Sequence, residues 1–525
     1  MHAVRRLGPD LIALGALLAA TAVVVATEVN LGAAPFEDAA MLMRYAANLA
    51  AGHGIVWNVG DHPLDGATDF LLVLVVAGVS KLGASVETAV RTVSLVAHFL
   101  TVALVYLVAR RLHGLGTAAS VVAAGYVAFD LALNTTEAGF GTAVFGFFVA
   151  TSWTAAFLCR HEPESWLHAA LFASSCLLMA LTRPEGALLA VFMLAAILVF
   201  TGVHGGTRIL VTFAGIFGVL GLAYFAWRWT YFGSPLPNPY YIKAGGALHP
   251  KGLYTSAHAT AGMLLPFLPL YALALWRPAG RREAAFSLIP IVLFTLIWVL
   301  VSDVTNYAGR FQYAVLVIAA LSWPALFPGG RETQPVRIFV GAWLVLAVVG
   351  LSAYRVATLG DVPARDGRAD VGRLLAPLAA KGYTLATTEA GGLPLYSGWR
   401  AVDTWGLNDR WIAHHGPVTA AYLDRYRPEL IAIHGFFSPA ARAPRCRCHA
   451  WNRMTVTVRS YAEARGYRLV AAFGTLHDTE QYWVRCDFPD ARRIAAEIRS
   501  VPYERGGHVA RDLAPRNECP PSANR

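Results

Sequence analysis

The chain has 525 residues, of which 56% are hydrophobic and only 14% charged. Soluble domains carry roughly 25% charged residues, so most of this chain does not belong in water. The net charge of +10 is not a nucleic-acid footprint: no basic stripe is interleaved with aromatics, and much of the excess is Arg in short loops between apolar runs, where positive-inside bias puts it.

Apolar runs of about 17–24 residues recur, the length a spanning helix needs. Eleven spans are expected, at 11–29, 88–109, 115–133, 139–158, 166–182, 186–203, 209–229, 259–276, 284–301, 312–328 and 337–354. The first, LIALGALLAATAVVVATEV, exceeds the roughly 7–15-residue apolar core of a signal peptide. More spans follow it, so it reads as a retained helix. The run 70–84, FLLVLVVAGVSKLGA, is short for a span and reads as interfacial or re-entrant. With that placement Arg5, Arg6, Arg110, Arg111, Arg160, Arg208, Arg277, Arg281, Arg282, Arg331 and Arg337 all fall on the cytoplasmic side. The N-terminus is then inside, and everything after 354 outside.

Residues 355–525 change character. TLATTE (384–389), ELIAIH (429–434), YRLVAAF (467–473) and QYWVRC (481–486) have the length and composition of short buried strands. Helical stretches at 366–380 and 490–499 accompany them. The expected fold class is therefore an α-helical polytopic membrane protein of about 11 spans over 1–354, with a first outer loop at 30–87, followed by a soluble α/β domain over 355–502. Residues 503–525, rich in Pro, Arg and Asn, read as a disordered tail. Cys446, Cys448, Cys486 and Cys519 lie in this exterior part, where an oxidising compartment permits up to two disulfides in any of three pairings. The Cys446–Cys448 spacing is tight for a mutual bond. Reading that pair with His449 as a metal site lacks a second ligand pair.

The most informative stretch is 33–70, AAPFEDAAMLMRYAANLAAGHGIVWNVGDHPLDGATDF. It holds adjacent acids, Glu37 and Asp38, against a bilayer surface. A positioned carboxylate can take the proton of a poorly nucleophilic sugar hydroxyl, and a neighbouring carboxylate raises the pKa of one of the pair. Asp38 is favoured as the base over Glu37. The alternative is that both acids only start a helix, where its dipole favours them. His53 and His62 read as surface residues.

The ends of the spans place Glu37, Asp38, Arg44, Glu137, Arg183, Glu185, Arg228, Lys243, Asp303, Asn306 and Arg310 on one face of the membrane. Ionisable groups there are costly and usually have partners or a task, so a shared polar cavity is expected. Lys243, Arg310 and Arg183 are the candidate clamps for a phosphate leaving group. Each has a simpler reading: long cations snorkel to an interface, and Arg183 can pair with Glu185 around a helix start at Pro184. Tyr240 and Tyr241, in the proline-rich FGSPLPNPYYIKAGG (232–246), suit a sugar face. Arg44, Asn58, Glu137 and Asp303 complete the candidate substrate contacts. GGTR (205–208) and GGAL (245–248) lack the GK[ST] of a phosphate loop, which disfavours nucleotide-sugar donors.

The 37–70 segment resembles the first outer loop of bacterial membrane glycosyltransferases of GT-C architecture, in particular the terminal β-arabinofuranosyltransferase family. NTTEAGFGTAVF, LTRPEGALLA, FGSPLPNPYYIKA, GRFQYAVLV and EAGGLPLYSGWRAVDTWGLND follow in that family's order, so the likeness covers about 30–435. The resemblance implies a polyprenyl-phosphate-linked sugar donor, an extracytoplasmic cell-envelope glycan as acceptor, and the Glu37–Asp38 pair as catalytic centre. It also implies a multi-pass protein of the bacterial plasma membrane, its partners being these two substrates and membrane lipid, with no nucleic acid. Arabinofuranose is the sugar implied first; mannose, galactose and aminoarabinose use similar scaffolds. No cofactor is required by the residues, although a divalent cation could assist. Two other classes stay open, a non-catalytic envelope or motility accessory protein on the same fold, and a secondary transporter.

Overall fold

A computed structural model of the protein describes residues 7–244, 246–300, 306–327, 334–360, 362–446, 448–515 and 519–520. Among these, eight helices are long and apolar enough to cross a membrane: Gly8–Glu28, Val86–Leu112, Thr117–Glu137, Thr142–His161, Glu185–Gly205, Thr207–Phe232, Pro278–Val299 and Gln334–Val356. A ninth would be the pair Pro250–Leu264 and Leu268–Trp276, bent by 85°.

Each expected span falls on a helix, but not all of those helices are straight or long enough to cross. Pro266 sits in the break of the bent pair, where its missing N–H and its ring interrupt the ladder. Trp166–Thr182 has 17 residues. Tyr313–Ser322 has only 10, all of them buried, so it is an internal helix and not a lipid-facing one. Pro324 has no N–H to continue the helical hydrogen bonding, and the chain leaves that helix in a short 3₁₀ turn, Trp323–Leu326. Phe70–Lys81, read as interfacial, is a 12-residue helix.

The first loop folds as the helix Glu37–Ala50, with both acids in its first turn, where the dipole favours them. Successive helical residues point about 100° apart. The two neighbouring carboxylates therefore leave the helix in different directions.

The C-terminal part builds a six-stranded sheet from β1 (Thr384–Thr387), β2 (Arg400–Asp403), β3 (Leu430–Gly435), β4 (Arg468–Thr475), β5 (Asp478–Val484) and β8 (Arg511–Asp512). Its order is β2-β1-β3-β5-β4-β8. β1 pairs in parallel with β2 and β3, and the remaining pairs are antiparallel. Strand side chains alternate between faces. Leu385, Leu430, Ala432, Tyr482 and Val484 pack with Val371, Leu375, Ile494 and Ile498. Their neighbours Ala386, Ile431, Ile433 and Trp483 pack with Met454, Val458 and Tyr461 of the helix His449–Ala464.

The tail expected to be disordered is partly ordered. β6 (Glu504–Arg505) and β7 (His508–Val509) pair with each other, β8 adds to the edge of β4, and Cys519 is bonded to Cys486. Cys446 is joined to Cys448, the pairing that its spacing argues against.

The sheet region is bolted to the first loop. Glu37 accepts hydrogen bonds from the Gly391 N–H at 2.7 Å and the Gly392 N–H at 3.2 Å. Arg368 lies 3.2 Å from the same carboxylate. Burial by itself disfavours the Arg368 charge, but Asp366, Glu37, Glu480 and Glu389 surround it and hold it protonated. A Cβ on Gly391 would overlap the Glu37 carbonyl and carboxylate. Gly391→Ala should accordingly cost about 1–3 kcal/mol, read as a lower thermal midpoint in detergent. Gly78→Ala, whose Cβ meets nothing, should not lower it.

Candidate functional site

Asp38 turns the opposite way from Glu37, into a cavity of about 350 Å³ at this end of the helical bundle. The cavity is lined by the first loop, the 140–142 and 183–185 turns, the 236–244 segment, and residues 297–298 and 310–311. Arg310 donates from Nη2 to Asp38 Oδ2 at 2.8 Å. Its guanidinium lies 4.0 Å above the Phe140 ring and 4.8 Å from that of Phe311, and Phe311 stacks on Trp298 at 5.0 Å. Lys243, Arg183 and Tyr240 line the same space. Arg183 is paired with Glu185 at 2.6 Å, as the turn reading anticipates, and nonetheless faces the cavity.

Three acids, Asp38, Asp69 and Glu185, share the lining with the three cations, and Arg310 and Arg183 are paired with Asp38 and Glu185. Burial lowers the affinity of Lys243 and of Arg310 for their protons, and the Asp38 charge pulls both back up. Among the described residues the buried Nη1 of Arg310 has no hydrogen-bond partner, an arrangement costly unless a ligand accepts from it. A mostly apolar cavity with a few convergent charged groups is the usual form of a small-ligand site.

The other sequence candidates lie elsewhere. Glu37 holds the sheet region. Arg44 is buried and donates to the carbonyls of Trp57 at 2.8 Å, Trp399 at 2.8 Å and Pro394, and to Asn58 at 3.0 Å. Asn58 also accepts from the Ala401 N–H at 2.9 Å. Both residues therefore clamp the first loop to β2. Glu137 is buried and accepts from the N–H groups of Asn30 at 3.0 Å and Gly360 at 3.2 Å. Tyr241 packs on His414 at 4.2 Å, outside the cavity. Asp303 falls outside the described residues.

One acidic lining residue escaped the sequence reading. Asp69, immediately before Phe70–Lys81, faces the cavity beside Thr68. Burial pushes its carboxyl pKa up, and Arg183 pulls it down. An acid abutting an apolar run, in GATDF, was the available signal. Among the described residues no group of three or more His, Cys, Asp or Glu side chains could hold a metal ion.

The cavity borders a second, open groove of about 560 Å³. The two share Thr68, Pro184, Leu188, Leu236 and Pro237, and the groove runs along apolar side chains that include Leu181, Phe217, Leu222 and Phe225. Leu222 is 69% exposed, on a helix that is apolar enough to lie in lipid. Arg228 and Asp65 form an ion pair in its wall.

Comparison with known proteins shows the fold. Residues 61–229 match a family model described as dolichyl-phosphate-mannose-protein mannosyltransferase, and residues 357–487 match a domain of unknown function, DUF8728. The crystal structure of ArnT from Cupriavidus metallidurans in the apo state superposes with a TM-score of 0.55 at 15% identity, covering 92% of this chain and 98% of that one. The same protein bound to undecaprenyl phosphate gives 0.54 at 13% identity, covering 89% and 97%. The chain has a GT-C fold. A search of curated proteins finds no match. The GT-C likeness extends over both the helical bundle and the sheet region, so the two belong to one architecture. At these identities it is a likeness of fold, and it does not reach the narrower arabinofuranosyltransferase resemblance.

Proposed function

We propose that the protein is a glycosyltransferase that moves a sugar from a polyprenyl-phosphate carrier to a glycan outside the cytoplasmic membrane. The observation that carries this reading is a cavity in which Asp38 and two further acids, Asp69 and Glu185, meet three cations, Lys243, Arg310 and Arg183, beside an apolar, lipid-facing groove that shares part of its wall. An isoprenoid chain suits the groove and a phosphate suits the cations. The family description naming a dolichyl-phosphate sugar and the undecaprenyl phosphate bound by ArnT point the same way.

In this reading Asp38 takes the proton of an acceptor hydroxyl as its oxygen bonds to the anomeric carbon. The bond from that carbon to the phosphate oxygen breaks, and polyprenyl phosphate leaves with its charge held by Arg310, Lys243 and Arg183. Tyr240 borders the sugar. Arg310 holds the base in place and, through Nη1, has a donor left for the phosphate. Residues 1–354 form the catalytic membrane part and 355–502 an exterior part, with the N-terminus in the cytoplasm. Arabinofuranose is the first sugar to try, through the motif resemblance.

The test is transfer by purified protein in detergent, from a panel of polyprenyl-phosphate sugars that includes arabinofuranose and mannose, to short oligosaccharides. Product with at least one donor is expected. Failure with every donor would oppose the enzyme reading and leave the accessory role.

The cations also set a pH dependence. Lys243 must be protonated to bind phosphate, and its pKa lies below that of an ordinary lysine, which is about 10.4. The protonated fraction falls as pH rises, so the donor KM should increase on the alkaline side at a lower pH than a free lysine would give. In Lys243→Arg, with a side chain that stays charged, that rise should move to higher pH. An unmoved limb would remove Lys243 from the phosphate site.

A further inference from the structure

Lys243 closes a six-residue helix, Asn238–Lys243. A helix that short does not hold itself, so its direction is set by what grips it. Successive residues turn by about 100°, which puts Pro239, Tyr240 and Lys243 on one side and Asn238, Tyr241 and Ile242 on the other. The first side lines the Asp38 cavity. The second meets the sheet region: Tyr241 packs on His414 at 4.2 Å, and Ile242 packs against the core that contains Val402 and Ile412.

We infer that Asn238 is a positioning residue, through which the turn 403–409 of the sheet region sets the reach of Lys243 toward the donor phosphate. The inference rests on the transferase reading and adds a part of the sheet region to its donor site.

Asn238 is 3% exposed. Its Nδ2 donates to the carbonyls of Gly406 at 2.8 Å, Leu407 at 3.0 Å and Asp409 at 3.3 Å. Its backbone N–H donates to the Asp65 carbonyl at 2.8 Å. One residue thus ties the Lys243 helix both to the turn and to the first loop.

The turn is shaped to receive it. β2 ends on Asp403, whose buried carboxylate accepts from the N–H groups of Trp405 at 3.0 Å, Gly406 at 3.1 Å and Asn408 at 2.8 Å. With those N–H groups drawn to Asp403, carbonyls of the same turn are left to Asn238. Gly406 has a φ of +96°, and a Cβ there would lie 2.6 Å from Ile412 and 3.0 Å from Ile242, so glycine is what lets the helix come this close. Leu407 itself lines the Asp38 cavity.

A lysine carries its charge on a flexible four-carbon stem, so the ammonium returns to one place only from a fixed backbone. Removing the Asn238 amide leaves buried carbonyls without their donor and frees the helix to shift. A displacement of about 1 Å is enough to spoil such a contact.

The test is undecaprenyl phosphate binding to the full-length protein in detergent, by calorimetry, with thermal midpoints measured beside it. Wild type should bind. Lys243→Ala and Asn238→Ala should each weaken binding by about tenfold or more, the size of a lost charge-assisted contact. The double variant should bind no more weakly than Lys243→Ala alone, because Asn238 acts through the lysine. Tyr241→Ala, which leaves the Asn238 side chain in place, should give a smaller loss that also vanishes in the Lys243→Ala background, and it decides the matter if Asn238→Ala does not fold. Tyr467→Phe, which removes a buried hydrogen bond to the Pro428 carbonyl elsewhere in the sheet region, should lower the midpoint and leave binding unchanged. Losses that multiply in the double variants, wild-type binding by Asn238→Ala, or equal weakening by Tyr467→Phe would overturn the inference and leave the donor site standing. Unweakened binding by Lys243→Ala would remove the lysine, and with it the inference, but not the lipid carrier. If the wild type does not bind, both readings fall.

Discussion

Asp38→Asn is expected to lower transfer by about a hundredfold to ten-thousandfold, the range for losing a general base, with little change in either KM. Asn has nearly the shape of Asp and can still accept from Arg310, so the ion pair becomes a hydrogen bond and the thermal midpoint should shift only slightly. The neighbouring Glu37→Gln should behave in the opposite manner. Glu37 accepts from Gly391 and Gly392 and pairs with Arg368, so its loss should loosen the sheet region and lower the midpoint while kcat stays within a few-fold. Steady-state kinetics and melting of the two variants side by side separate base from anchor. Equal kinetic losses in both would contradict the assignment.

Arg310→Gln is expected to cost about a hundredfold to a thousandfold in kcat, the magnitude seen when one donor to a developing anion is removed. The change removes the cation paired with Asp38 and a side chain packed on two rings. Arg310→Lys should recover only part of the activity, because an ammonium cannot bridge carboxylate and phosphate as a planar fork does. Inhibition by free undecaprenyl phosphate should weaken in parallel with the loss of rate in Arg310→Gln. Unchanged inhibition would mean that the arginine serves Asp38 alone.

Much of the helical bundle is legible in the sequence, because long apolar runs have one stable form in lipid. The expected count of spans fails where local chemistry interrupts them, at Pro266 and before Pro324. The acidic pair is also visible, but the division of its labour is not. That depends on Gly391 and Gly392, more than 350 residues away in the chain, meeting one carboxylate and leaving the other to the cavity. Arg44 and Asn58 look like substrate contacts for the same reason: the carbonyls of Trp399 and Ala401 that occupy them cannot be seen from the loop. β2, RAVD, is as short as β1 but begins on an exposed Arg400 and ends on Asp403, so only two apolar residues mark it. Residues 504–512 have a disordered composition and are ordered by backbone pairing and the Cys486–Cys519 bond. Lys243, Arg310 and Arg183 stand out in the sequence because their loops share one face of the membrane, and the structure brings all three to the same cavity.

The measurement that tests the central claim most directly is a cryo-EM structure of the protein in lipid nanodiscs with undecaprenyl phosphate. The phosphate should lie among Lys243, Arg310 and Arg183, facing Asp38, with the isoprenoid chain leaving past Leu188 and Leu236 along Phe217 and Leu222. A phosphate bound away from those three cations, or a chain that leaves by another face of the bundle, would contradict it.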